Sequence, residues 1–204
     1  MNLNLKDNHH LNLMQPEQIK EQYSIIAKSF NKTRFEKWDC VLKFLQDVKS
    51  TDKILELGCG NGKNIYDLTD QSLGVDICPE LCDISRSRGV TVIESDILLF
   101  NTYEKYDYIL CVAVIHHLSN FDDRVKLLRK IKSFLKEDGK ALITCWTTNE
   151  VGRDFSHGDN YVKFGSINRY YYISEPTELL YMCRKEFNII EYYQEYYNDV
   201  IIVK

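Results

Sequence analysis

The sequence predicts an α/β fold: a doubly wound, mostly parallel sheet with helices on both faces, N-terminal capping helices and a terminal antiparallel hairpin. Three observations carry that prediction. Residues 53–64 read K-I-L-E-L-G-C-G-N-G-K-N, an aliphatic run that meets glycines at every second position, Gly58, Gly60 and Gly62. This is the pattern of a buried strand ending in a tight loop whose backbone must turn with positive φ or lie against a ligand. A second short apolar run, L-G-V-D, closes on Asp76, twenty residues after Glu56. A doubly wound fold places there a carboxylate that grips the two hydroxyls of a ribose. Residues 106–114, Y-D-Y-I-L-C-V-A-V, are nearly continuously apolar, as a central parallel strand covered on both faces must be. Strands alternating with helical periods dictate helices on both faces of the sheet.

At 204 residues and 44% hydrophobic content the chain suits one domain with a proper core, expected over residues 16–204 behind a loose, Asn-rich polar arm over 1–15. In that arm His9 and His10 read as a solvated pair. A net charge of −4 argues against a surface coated in phosphate-binding charge, so any nucleic-acid contact must come from a local patch. The seven cysteines contain no C-x-x-C pair, and Cys78 and Cys82 have no second ligand pair at zinc-site spacing. No metal site is expected, and the cysteines read as reduced thiols of a cytoplasmic protein, with the nucleus also open. With no apolar leader and no run of 18 apolar residues, no membrane partner is expected.

In chain order, Pro16 at a first helical turn, then Glu17 and Ile19, Tyr23, Ile26, Ala27 and Phe30 at three- and four-residue spacing, predicts an amphipathic helix to about Phe30. Residues 31–37 carry Lys32, Arg34 and Lys37. A second helix is expected from Trp38 to Val48, with Val41, Leu42, Leu45 and Val48 as its apolar stripe. Helices that precede the first strand lie over the edge of the sheet where ligands bind. After the glycine loop a short helix is expected over 64–69, a strand over 73–76, a helix over 79–88 and a third strand over 90–94. That strand is expected near a sheet edge, with Val92 and Leu98 or Leu99 partly exposed. Asp96 beyond it suits the exocyclic amine of an adenine, with Ile97 packed on the ring, or it caps a turn. The fourth strand delivers Ile115, His116 and His117 to the same rim as the glycine loop. Residues 122–136 read as a helix with a basic outer face, Asp138-Gly139 as the turn into a fifth strand over 140–146, and the tail from Phe187 as two apolar runs split by Asn198-Asp199, a hairpin signal.

The loop spacing departs from the dinucleotide fingerprint G-x-G-x-x-G, and E-L-G-C-G-N-G resembles the nucleotide loop of the Rossmann-like S-adenosylmethionine-dependent methyltransferases. A narrower resemblance rests on Y-S-I-I-A-K-S-F-N-K-T-R-F-E-K-W (23–38), E-L-G-C-G-N-G-K (56–63), A-V-I-H-H-L-S (113–119), G-K-A-L-I-T-C-W (139–146) and R-Y-Y-Y-I (169–173). Together these are similar to the eukaryotic tRNA wobble-uridine carboxymethyl methyltransferases, from about residue 17 to the end. The resemblance implies a seven-stranded Rossmann-like sheet and S-adenosyl-L-methionine as cofactor. It implies methylation of the carboxylate of 5-carboxymethyluridine in the tRNA anticodon loop, and a small zinc-ribbon activator subunit as partner. It further implies cofactor contacts from Glu56, Gly58, Cys59, Gly60, Gly62, Asp76, Ile77, Asp96, Ile97 and Val112, and catalytic roles for Arg34, His116 and Arg169.

The chemistry suits these residue types. A carboxylate is ionised at neutral pH, so its attack on a sulfonium methyl needs positioning rather than a strong base. Arg34, His116 and Arg169 are cationic or donor groups for that carboxylate, and Trp38 with Tyr170 or Tyr171 can stack on a splayed base. Other readings stay open on sequence alone. Arg34 also suits the cofactor's methionine carboxylate, His117 is expected to pack behind the strand, and residues 170–172 suit a core run on alternate faces. Three competing functions are a methyltransferase of small molecules, a non-catalytic cofactor-fold subunit, and an NAD-dependent dehydrogenase, the last disfavoured by the loop spacing.

Overall fold

The computed structural model describes residues 14–148 and 155–204. The expected loose arm up to residue 13, with His9 and His10, lies outside the described residues. Helix α1 spans Pro16–Thr33, with proline in its first turn and the Gln15 amide donating to Gln18 Oε1 at 2.9 Å. Helix α2 spans Asp39–Leu45, shorter than expected, and it buries Cys40, Val41, Phe44 and Leu45. Leu42, expected in its apolar stripe, is 53% exposed, because so short a helix turns only its Val41, Phe44 and Leu45 face to the sheet.

The strands and helices that follow are β1 (Ile54–Leu57), β2 (Ser72–Asp76), α3 (Pro79–Ser87), β3 (Thr91–Glu94), β4 (Tyr106–Cys111), a 3-10 turn (Ile115–His117), α4 (Phe121–Phe134) and β5 (Leu135–Trp146). Next come β6 (Gly158–Phe164), β7 (Ile167–Ile173), α5 (Glu178–Glu186), β8 (Ile189–Glu195) and β9 (Asn198–Val203). Seven strands form one sheet in the order β3-β2-β1-β4-β5-β9-β8, parallel from β3 to β5 and closed by the antiparallel β9 and β8. The order reverses at β1, so the crevice at the carboxyl ends of β1 and β4 is where this topology receives ligands. Both faces are covered. Leu55, Leu57, Ile109 and Cys111 pack on Leu127, Leu128, Ile131 and Phe134 of α4 with Leu179 and Cys183 of α5, while Ile54, Leu110 and Leu142 pack on α2. The β6–β7 hairpin stands apart as a two-stranded sheet. Among the described residues no helix is long and apolar enough to cross a membrane.

Four local expectations differ from the structure. Residues 64–69 form successive turns and no helix, because Asn61 and Asn64 spend their side chains elsewhere: Asn64 donates to Glu56 Oε1 (2.6 Å), and Asn61 to Asn31 Oδ1 and the Arg34 carbonyl (both 2.8 Å). Gly139 is not in a separate turn. β5 starts directly after α4, and the irregularity opposite Tyr106 and Tyr108 brings Gly139 so close that a Cβ there would lie 2.7 Å from the Tyr106 carbonyl oxygen. The terminal hairpin turns at Tyr196 (φ 53°), two residues before Asn198-Asp199. Asp199 is instead fully buried, accepting from Thr177 N, Tyr192 Oη and Gln194 Nε2 at 3.0–3.1 Å, which ties the start of α5 to the hairpin. Finally, β6, β7 and α5 fall where no strand or helix was expected.

β3 does form the sheet edge, with Ile93 42% and Leu99 76% exposed, while Leu98 is buried.

Candidate functional site

The carboxyl ends of β1, β2 and β4 open into a cavity of about 220 Å³, roofed by α1 and walled on one side by β7. Its first half is made largely by backbone. Gly58 and Gly60 line it with φ of 74° and 53°. A Cβ on Gly58 would lie 2.3 Å from Val114 Cγ2, so only glycine fits this close approach. Gly62, expected to touch the cofactor, does not line the cavity. It faces α3, where a Cβ would meet Ser85 Oγ at 2.2 Å, so it serves helix packing.

The acids at the strand tips are held before any ligand arrives. Asp76 accepts from Gly60 N through Oδ2 (2.7 Å) and from Cys78 N through Oδ1 (2.9 Å), leaving each oxygen a further lone pair. Burial raises its pKa, and the backbone donors oppose that shift. Two ribose hydroxyls would supply the donors such a buried carboxylate still lacks. Glu56 is 1% exposed; burial pushes its carboxyl up to about 8 despite the Asn64 amide, and its Oε2 has no hydrogen-bond partner among the described residues. Asp96 takes the capping role: Oδ1 accepts from Leu98 N (2.8 Å) and closes a turn, and the residue lines the cavity beside Ile97. Cys59, Ile77 and Val112 complete this wall, and burial holds the Cys59 thiol well above its ordinary value, hence neutral. Acids for a diol and an amine, aliphatic side chains for a flat ring and glycines that admit a chain fit S-adenosylmethionine by their donor set.

The second half is made by side chains. The 3-10 turn after β4 presents both histidines to the cavity. His117 does not pack behind the strand as expected: its Nδ1 lies 3.0 Å from the Tyr170 carbonyl oxygen and its Nε2 2.9 Å from Tyr23 Oη. The ring therefore donates through Nδ1, and Nε2 accepts from the tyrosine. Burial pulls its pKa down to about 4. His116 is 1% exposed, and burial, then His117, then Arg169 hold its pKa well below the usual value. Its Nδ1 accepts from the Trp146 amide (3.2 Å), so the neutral ring carries its proton on Nε2, which has no hydrogen-bond partner among the described residues.

Arg169 on β7 is 5% exposed and lines the cavity, with Nε unsatisfied among the described residues and Cζ 5.1 Å from the Tyr171 ring centroid. No carboxylate pairs with it among the described residues. A buried guanidinium without a counter-charge is costly, and an anionic ligand would relieve it. Tyr171 lines the cavity and stacks on Trp146 at 4.5 Å and 7°, whereas Tyr170 points away and donates to Asp159 Oδ1 (2.6 Å). Arg34 is half-buried on the glycine-loop side, and Trp38 lines the cavity with Lys63 Nζ 5.6 Å from its ring centroid.

Sequence reasoning missed Tyr23 and Lys63 as cavity residues. Tyr23 was legible only as part of a helix stripe, and its hydroxyl, which belongs in no apolar stripe, was the available signal.

The family model described as "Methyltransferase domain" matches residues 55–143. A fission-yeast protein (Schizosaccharomyces pombe) named tRNA (carboxymethyluridine(34)-5-O)-methyltransferase is 31% identical, over 89% of this chain and 82% of its own length. The Arabidopsis thaliana protein of the same name is 34% identical over 65% of this chain, which spans only 33% of that relative. Among solved structures, an S-adenosylmethionine-dependent methyltransferase from Clostridium acetobutylicum superposes with a TM-score of 0.69 at 16% identity, covering 90% of this chain and 98% of that one, a likeness of fold.

Proposed function

Because the chain belongs to the family of tRNA carboxymethyluridine methyltransferases and uses S-adenosylmethionine, we propose that it esterifies the carboxylate of 5-carboxymethyluridine at the tRNA wobble position. The observation that carries this reading is Arg169, a buried guanidinium facing the cavity with no carboxylate partner among the described residues. The unpartnered Nε2–H of His116 lines the same cavity. A substrate carboxylate between them satisfies both.

When bound, S-adenosylmethionine supplies a methyl group on a sulfonium. A carboxylate oxygen held there would form the new C–O bond as the S–CH₃ bond broke and the sulfur kept the electron pair, so no proton would need to move. Neutral histidines suit this step, since it needs donors and position rather than a base. Arg169 binds and orients the carboxylate, His116 donates to it, and Tyr171, backed by Trp146, offers an aromatic wall for the splayed base. Arg34 lies on the glycine-loop side of the cavity. Its carbonyl is held by Asn61 of the glycine loop, and its guanidinium takes the methionine carboxylate of the cofactor. Glu56, Gly58, Cys59, Gly60, Asp76, Ile77, Asp96, Ile97 and Val112 form the cofactor's bed.

A zinc-ribbon activator would dock on the β3 edge, where Ile93 and Leu99 expose apolar surface beside unpaired backbone groups. Full activity and solubility of the chain alone would count against that partner. The function itself is tested by nucleoside mass spectrometry of carboxymethyluridine-bearing tRNA incubated with the chain, labelled cofactor and activator. Label in an alkali-labile methyl ester of the wobble base supports the reading. Label in a small carboxylic acid but never in tRNA favours the small-molecule alternative.

A further inference from the structure

Two guanidiniums share one aromatic ring in this site. Phe164, the last residue of β6, has Arg169 Cζ 4.8 Å and Arg34 Cζ 5.8 Å from its ring centroid. Outward from it, Arg34 also lies over Phe30 (5.8 Å) and Arg169 over Tyr171 (5.1 Å), so rings and cations alternate across the cavity rim. Among the described residues no other ring meets both cations. Arg34 also donates to the Thr33 carbonyl (3.2 Å) and hydroxyl (3.1 Å), but those bonds to its chain neighbour do not account for its approach to a second cation, since like charges repel. The negative face of a ring is what draws each guanidinium in.

We infer that Phe164 is a positioning residue that fixes the spacing of Arg34 and Arg169, and through it the relative placement of two carboxylates, one of the cofactor and one of the substrate. This deepens the proposed function and rests on it for the identity of the second carboxylate. Phe164 touches neither reacting atom. It sits beside the hairpin tip at Gly165, whose φ of 59° lets the chain reverse there, so the β6–β7 hairpin exists in part to carry this ring to the two cations.

The test replaces Phe164 by leucine, which keeps apolar bulk without a π face, and by tyrosine, which keeps the face. Affinity for S-adenosylhomocysteine is measured by titration and kcat/KM by methyl transfer to tRNA, with thermal melting as the check on folding. Phe164→Leu is expected to weaken S-adenosylhomocysteine by about 3- to 10-fold and to lower kcat/KM by more, with Tm retained, whereas Phe164→Tyr keeps both near wild type. In an Arg34→Ala background, Phe164→Leu should cause no further loss of cofactor affinity, as a double-mutant cycle of coupled residues requires. Equal impairment by leucine and tyrosine, no impairment by leucine, or full additivity with Arg34→Ala overturns the inference. If tRNA is not the substrate but leucine still weakens the homocysteine product in an Arg34-dependent way, the positioning role stands and only the substrate assignment falls.

Discussion

The two ends of the cavity are built by different means. At the glycine-loop end the recognition groups are backbone or are locked by backbone: Gly58 and Gly60 make room, and Asp76 is pinned by two main-chain amides. At the β7 end they are side chains from distant segments, namely His116 and His117 from the turn after β4, Tyr23 from α1 and Arg169 from the hairpin; Tyr23 bonds to His117, and the two histidine rings are set against the Trp146 amide and the Tyr170 carbonyl of other strands. A backbone-built site depends on a short motif and serves any ligand with the same nucleoside. A side-chain-built site can be rewritten without disturbing the sheet, so substitutions at the β7 end are expected to change substrate choice more than cofactor binding.

The largest effect expected from breaking the first end is on Asp76. Asp76→Ala should cost about 2–4 kcal/mol of cofactor affinity by isothermal titration with the fold intact, since it removes both ribose acceptors from a buried site. A folded variant with unchanged affinity would contradict the assignment of the loop. A pair of glycines compares the ends directly. Gly58→Ala combines positive φ with a Cβ 2.3 Å from Val114 and should cost about 2–4 kcal/mol of stability, whereas Gly165→Ala has positive φ but open space around it and should cost about 1 kcal/mol. Equal losses in denaturant melts would mean that Val114 yields.

The ends should also titrate on opposite sides of neutrality in the cofactor-free protein. His117 has a folded pKa near 4, below its ordinary value, so its contribution is present above about pH 6.5 and is lost as pH falls through the folded value. Glu56 is raised to about 8, so its neutral carboxyl favours folding at low pH and that contribution is lost as pH rises from about 4.5 to 8. His117→Gln should therefore flatten the acid limb of the stability profile and Glu56→Gln the alkaline limb, each by up to about 1.4 kcal/mol per pH unit in its window. Limbs that stay steep in both variants would place the titrations elsewhere. The smallest effect belongs to the rim. Lys32 is exposed, but Lys37 is ion-paired with Asp67, so Lys32→Ala should lower the log-log salt slope of tRNA binding by about one unit or less while Lys37→Ala changes it less still.

The same contrast explains what the sequence made legible. The loop, Asp76, Asp96 and the apolar β4 are local signals, a few residues long and governed by one strand tip each, so fold and cofactor end were readable. The hairpin was not read, although N-Y-V-K-F and I-N-R-Y-Y-Y-I alternate around Gly165-Ser166, because its purpose shows only when Arg169 and Phe164 meet Arg34 from far along the chain. His117 was misplaced for the same reason: its partners, Tyr23 and Tyr170, lie 94 and 53 residues away in sequence. Gly62 packs against Ser85 and Val90 outside the cavity lining, a placement the motif does not reveal because a glycine against a helix and a glycine against a ligand look alike in sequence.

In the proposed function the cavity takes two carboxylates on two arginines, the cofactor's on Arg34 and the substrate's on Arg169. The direct test measures S-adenosylhomocysteine affinity and methyl transfer to tRNA in Arg34→Ala and Arg169→Ala side by side. Arg34→Ala should lose cofactor affinity, and Arg169→Ala should keep it while turnover falls by about 100-fold or more, as loss of a charged, positioned contact requires. Loss of cofactor affinity in Arg169→Ala with Arg34→Ala binding normally, or near-normal turnover without Arg169, would contradict it.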